Sequence, residues 1–202
     1  MNTRTAIVTI AGRPNVGKST LTNFLVGEKI AIVSNKPQTT RNRICGIVTR
    51  DNLQFVFVDT PGFHKPRTKL GDYMVNTVRE SISDVDATIL VVEPIPSIGA
   101  QEAVLIERLQ VTRCPSILAI NKIDTVEKDK LLEVMAVYSQ TGVFDAIIPI
   151  SAKTGDGVDV LLEQCENYAV ESPFLFPDDV TTDQPERQVM AEIIREKLLW
   201  TL

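Results

Sequence analysis

Residues 6–11 form an apolar run, and residues 12–20 that follow read GRPNVGKST. The pattern Gly-x-x-x-x-Gly-Lys-Ser constrains the fold more than any other feature of the chain, because it needs a strand before it and a helix after it. A loop of this kind closes around a triphosphate. Its backbone N–H groups turn inward, and the next helix opens with unpaired N–H donors. Gly12 and Gly17 leave the backbone bare where it turns or touches phosphate, and Arg13, Pro14, Asn15 and Val16 form the wrap between them. Lys18 reaches the β and γ oxygens, the hydroxyl of Ser19 is a ligand for Mg²⁺, and Thr20 continues the helix start. A strand–turn–helix that binds nothing would have to match every motif position by chance. The chain is expected to bind a nucleoside triphosphate.

Two hundred and two residues suffice for one domain with a proper core and a short appendage. Apolar residues make up 44% and charged residues 23%, an ordinary balance for a soluble globular chain. A net charge of −5 argues against nucleic-acid binding driven by overall charge, though not against a local basic patch. No apolar run approaches the roughly 20 residues that cross a bilayer, and a strand begins too early for a secretory signal. Cys45, Cys114 and Cys165 are scattered without metal spacing, which reads as reduced thiols and a cytoplasmic setting.

Short β-branched runs alternate with longer amphipathic stretches over residues 5–170. Strands are expected at 5–11, 44–49, 54–59, 87–92, 116–121 and 146–150, and helices at 18–25, 72–82, 100–110, 128–140 and 158–168. That alternation points to a doubly wound α/β sheet of six strands. The short polar connection at Asp51-Asn52 marks a hairpin, so one edge strand is expected to run antiparallel. Ligands of such sheets bind beyond the carboxyl ends of the strands. Residues 171–184, with Pro173, Pro177 and several aspartates, read as a linker, and residues 185–202 resume a helical pattern. Val189, Met190, Ile193, Ile194 and Leu198 give this last helix an apolar face that something must cover. It either packs back on the first domain or meets a second domain, and the second alternative is favoured.

The choice of base comes from Asn121-Lys122-Ile123-Asp124 behind the apolar run 117–120. A carboxylate at Asp124 accepts from both N1–H and the exocyclic amino group of guanine, neither of which adenine offers. Two charge-assisted bonds give about 10²–10⁴-fold discrimination. Asn121 braces the loop and meets the base edge, while the stem of Lys122 covers the base face. Ser151-Ala152-Lys153 follows another strand end and supplies a backbone N–H to the guanine oxygen. Asp59-Thr60-Pro61-Gly62 completes the set: Asp59 holds Mg²⁺ through water, and the N–H of Gly62 meets the γ-phosphate. Thr39 or Thr40, in the polar stretch 34–43, offers the hydroxyl that finishes the magnesium shell.

Five guanine-nucleotide motifs in this order imply a Ras-like P-loop GTPase fold. More narrowly, the chain resembles the Era family of bacterial GTPases through GRPNVGKSTLTNFLVGEKIAIVSNKPQTTR, DTPGFH, NKID and SAKTG. The resemblance continues into Phe176-Pro177-Asp178-Asp179 and residues 193–198, which look like the linker and first helix leading to that family's C-terminal KH domain. It implies a GTPase domain over 1–170, a linker and first helix of a missing KH domain over 171–202, and hydrolysis of GTP to GDP and phosphate. It also implies action on 16S ribosomal RNA during assembly of the 30S subunit, with peripheral contact at the inner face of the cell membrane as a family trait. A KH domain clamps RNA with a Gly-x-x-Gly loop, and none follows residue 185, so RNA binding is carried over only to a longer parent protein.

Many Ras-like GTPases place a water-orienting glutamine where this chain has Phe63. The family shares such an apolar replacement. Asn15 resembles an asparagine that helps hold K⁺ in related GTPases; here it either does so, beside the backbone at Thr39-Thr40, or merely stiffens the loop. Lys18, Asn15, Thr40 and Gly62 are then the groups closest to the chemistry. His64, the lone histidine, reads as an exposed residue beside the basic run 65–69 rather than as a base. Two other readings are a G domain from a tRNA-modifying relative and a nucleotide-controlled binding module with incidental hydrolysis.

Overall fold

The computed structural model of the protein describes residues 2–33, 44–59 and 85–201. Thr39, Thr40, Thr60, Pro61, Gly62, Phe63, His64, the basic run 65–69 and the expected helix 72–82 lie outside the described residues. In chain order the described elements are β1 (Arg4–Gly12), α1 (Lys18–Val26), β2 (Ile44–Arg50), β3 (Leu53–Asp59), β4 (Ala87–Val92), α2 (Ala100–Thr112), β5 (Ser116–Ile120), a 3₁₀ turn (Ile123–Thr125), α3 (Lys128–Ser139), β6 (Ala146–Pro149), α4 (Val158–Glu166), β7 (Val170–Glu171) and α5 (Glu186–Thr201).

All six expected strands form and lie in the order β2-β3-β1-β4-β5-β6. Their pairings are parallel except for β2 on β3, the hairpin whose two-residue turn puts Asp51 at φ 51°. A seventh strand was not legible: β7 pairs antiparallel with the start of β1 through Arg4↔Glu171 and Thr5↔Val170. It occupies the side of β1 that β4 reaches only from Val8 onward.

The central strands are apolar throughout because both faces of the sheet are covered. Period-two alternation sends Ile89 and Val91 of β4 into one core with Leu21 and Leu25 of α1 and Leu161 and Cys165 of α4. Leu90 and Val92 enter the opposite core with Leu105 and Leu109 of α2 and Val134 and Tyr138 of α3. Full burial of one such aliphatic side chain stabilises by about 1.5–3 kcal/mol. This double cover holds the strand ends rigid where the loops leave them.

The segment read as a linker is docked on the sheet. Gln54 of β3 is fully buried and its amide is saturated. Its oxygen accepts from the N–H groups of Leu175 (2.9 Å) and Phe176 (3.0 Å), and its nitrogen donates to Phe176 O (2.9 Å) and Thr49 Oγ1 (3.0 Å). The Phe176 ring then packs against Cys45, Val56 and Val58. Further along, Ile47 N–H donates to Thr181 O (2.8 Å), and Cys45 N–H donates to Asp183 Oδ1 (3.0 Å). Helix α5 touches the first domain through Glu196, 5% exposed, which accepts from Lys29 Nζ (2.7 Å) and Val33 N–H (3.4 Å). The expected apolar face is therefore divided. Val189 and Ile193 are half-buried, while Met190, Ile194 and Leu198 form an exposed stripe.

Candidate nucleotide-binding site

The strand registers set the candidate residues on one rim. Ile10 lies beside Asp59, Gly12 beside Val91, Val92 beside Ile120, and Ile120 beside Pro149. The loops after β1, β3, β4, β5 and β6 therefore leave the sheet at one level. Asn121 N–H donates to Val92 O and Ile150 N–H to Ile120 O, both at 2.8 Å, which extends the ladder into the base loops.

In the phosphate loop, backbone geometry explains both glycines. Gly12 has φ 153°, and a Cβ there would meet Val91 O at 2.4 Å; Gly17 has φ 103°, and a Cβ would meet Asn121 Nδ2 at 2.2 Å. Asn15 takes the left-handed region at φ 65°, Pro14 precedes it, and Val16 is anchored fully buried in the core with Leu21. Thr20 stands in the first turn of α1. The ammonium of Lys18 lies in the loop's mouth, donating to Gly12 O (3.2 Å) and Arg13 O (2.8 Å). Burial pulls its pKa down from 10.5 to about 8, against the opposing pull of Asp59. An ammonium whose partners among the described residues are carbonyls is ready to exchange them for phosphate oxygens, which are stronger acceptors.

Beside it, Ser19 Oγ donates to Asp59 Oδ2 at 2.8 Å, and Asp59 Oδ1 is buried without a hydrogen-bond partner among the described residues. Burial raises the Asp59 carboxyl from 3.8 to about 6, with Lys18 and the Ser19 hydroxyl working the other way. Hard oxygen donors with one buried carboxylate oxygen unsatisfied fit a magnesium ion.

The base loops are tied directly to the phosphate loop. Asn121, 2% exposed, donates from Nδ2 to Val16 O (2.8 Å) and accepts at Oδ1 from Ala152 N–H (2.9 Å). Lys122, at φ 66°, donates to Asn15 O at 2.8 Å. Asp124 is exposed in the 3₁₀ turn, and its Oδ1 accepts from Ser151 Oγ at 2.7 Å. Ala152 N–H is thus taken by Asn121, and Lys153 beside it is exposed. The sequence reading missed Glu93 and Glu102. Glu93 accepts from Lys122 Nζ (2.5 Å) and pairs with Arg13 Nη2 (3.2 Å), and buried Glu102 pairs with Arg13 Nε. The available signal was a carboxylate placed directly beyond the apolar strand ATILVV.

A family model described as 50S ribosome-binding GTPase matches residues 7–122. GTPase Era of Ruminiclostridium cellulolyticum is 49% identical over 202 residues, covering 100% of this chain and 68% of the relative. GTPase Era of Clostridioides difficile is 49% identical over 197 residues, covering 97% of this chain and 66% of the relative. Among solved structures, Era in complex with MgGDPNP and nucleotides 1506–1542 of 16S ribosomal RNA superposes with a TM-score of 0.90 at 35% identity, over 96% of this chain and 67% of that one. A variant of Aquifex aeolicus Era bound to GDP·AlF₄⁻ gives 0.89 at 34% identity, over 96% and 66%. The chain spans about two thirds of the length of these proteins. With its motifs on one rim of a P-loop GTPase fold and near-half identity along its whole length, the chain belongs to the GTPase Era family.

Proposed function

We propose that this chain is the GTP-binding and GTP-hydrolysing switch of a cytoplasmic protein acting in small ribosomal subunit assembly and 16S ribosomal RNA maturation. One observation carries the guanine half of the reading: Ser151 holds the Asp124 carboxylate at 2.7 Å, in a loop cross-linked through Asn121 to the phosphate loop. A fixed acceptor at that place matches the two donors on guanine and repels the acceptor edge of adenine. Side-by-side turnover of GTP and ATP with Mg²⁺ tests it. Turnover confined to GTP is expected, and equal rates contradict the reading.

The chain's own residues divide the work. Lys18 leaves the Gly12 and Arg13 carbonyls for the β and γ oxygens and stabilises the charge that builds there. Ser19, Asp59 and Thr40 are the groups that would hold Mg²⁺, and Gly62 N–H would meet the γ-phosphate. Bound magnesium supplies positive charge to the phosphate oxygens. Asn15, already turned at φ 65°, would share in holding K⁺, and that ion would add positive charge near the phosphates, in a chain where Phe63 stands in place of a water-orienting glutamine. Faster turnover in K⁺ than in Na⁺ at matched ionic strength is expected, and equal rates would remove K⁺ from the scheme.

The ribosomal half rests on family membership and on the Era complex with 16S ribosomal RNA. Residues 171–202 are read as the link to a KH domain that makes the RNA contacts. The exposed stripe Met190, Ile194 and Leu198 supports this, since a soluble helix with such a face needs a cover. A form extended to the relatives' full length is expected to bind the 3′ segment of 16S RNA, and this chain alone is not. Peripheral contact with the membrane rests on the family resemblance only.

A further inference from the structure

We propose that Glu93 is a positioning residue of the nucleotide site, holding Lys122 and the front of the phosphate loop at a fixed separation. Topology gives it this place. In the sheet β4 lies between β1 and β5, so the phosphate loop and the base loop leave from strands about 10 Å apart. A residue directly beyond β4 stands between them, and Glu93 is that residue.

Its two carboxylate oxygens divide between the loops. Oε1 accepts from Lys122 Nζ at 2.5 Å, and Oε2 faces Arg13 Nη2 at 3.2 Å. Lys122 also donates to Asn15 O at 2.8 Å. Arg13 and Asn15 belong to the same loop, so Arg13, Glu93, Lys122 and Asn15 close a ring. Glu102, 3% exposed in the first turn of α2, pairs with Arg13 through Nε and gives the guanidinium a second anchor. Asn121 braces the loop further along, at Val16. The two devices fix different halves of the same loop.

Lys122 needs such a partner. Its side chain is 37% exposed, so packing alone does not select a rotamer for its stem. The Glu93 carboxylate fixes the direction of the ammonium and so the line of the stem that covers the base. Ion pairs this exposed contribute little to folding. Their effect is felt when a nucleotide enters and the arrangement no longer has to be ordered at that moment.

The inference rests on guanine binding at these loops. Wild-type protein that fails to bind GDP would overturn that reading, whereas the following comparison bears on Glu93 alone. Affinities for GDP and GTP are measured by titration for Glu93→Gln and Glu93→Asp, in the wild-type and the Lys122→Met backgrounds, together with kcat and Tm. Glu93→Gln is expected to weaken GDP and GTP equally, by about 10-fold, with kcat within about two-fold and Tm within about 2 °C of wild type. In the Lys122→Met background the same change is expected to cost under about three-fold, because the group through which Glu93 acts is gone. Glu93→Asp, which keeps the charge on a shorter arm, is expected to fall between the two. Unchanged affinity in both variants overturns the proposal, as does a loss of the same size in both backgrounds.

Discussion

Asp59 and Lys18 interact at the proposed magnesium position with both side chains removed from water, and each pays for this in the protonation state it prefers. For Lys18 the nucleotide-free folded value of about 8 lies below the ordinary 10.5, so the unfolded chain binds more protons between those limits, and this group's contribution to stability rises with pH there. Phosphate binding needs the ammonium. Above pH about 8, GDP binding is therefore expected to take up a proton and weaken as pH rises. Calorimetry at pH 8.5 in buffers of different ionisation enthalpy measures the uptake, and Lys18→Met should abolish it. Asp59 has the opposite sign. Its folded value of about 6 lies above 3.8, so its contribution to stability is lost as pH rises through about 6. Asp59→Asn is expected to raise the Tm of the nucleotide-free protein at pH 7, with a smaller gain at pH 5, while raising the Mg²⁺ concentration that GTP turnover needs. A lower Tm at pH 7 would contradict that assignment.

At the scale of elements, the motif loops were legible because each carries its own geometric requirement. A phosphate loop needs a strand behind it and a helix ahead, and β1 and α1 lie within a residue of where the sequence set them. The segment 171–184 was not legible, since its order comes from a partner far away in the chain. Gln54 is the one polar residue besides the terminal Asp59 in the strand LQFVFVD, and only the folded sheet shows that its amide receives Leu175 and Phe176. Gln54→Leu leaves those N–H groups unpaired and is expected to destabilise by about 2–4 kcal/mol. Limited proteolysis should then cut within 172–184 faster than in wild type. An unchanged rate would mean that the apolar contact of Phe176 suffices. Glu93 escaped for a related reason: an acidic residue after a strand has no motif of its own, and its two cations arrive from other loops.

At the scale of the whole molecule, one sheet carries the motif loops to one rim, and the same sheet receives the terminal segment on β1, β2 and β3. Asn23 of α1 holds Ile30 and Ala31 N–H through Oδ1, at 3.0 and 2.9 Å, and Glu196 of α5 accepts from Val33 N–H. The stretch entering residues 34–43 therefore starts from an anchored position shared with the last helix. The alternation of strands and helices announced the doubly wound sheet, but the division of α5 into a docked and an exposed side depends on tertiary contacts that no local pattern encodes. The central claim remains that Asp124 selects guanine. The direct measurement is the affinity of Asp124→Asn for GDP and for xanthosine diphosphate, whose base carries a carbonyl where guanine has the amino group. An asparagine amide donates to that carbonyl and meets the guanine amino group donor to donor. GDP binding is expected to weaken by about 10²-fold or more while xanthosine diphosphate binds more tightly than to wild type. Undiminished GDP affinity in Asp124→Asn would contradict it.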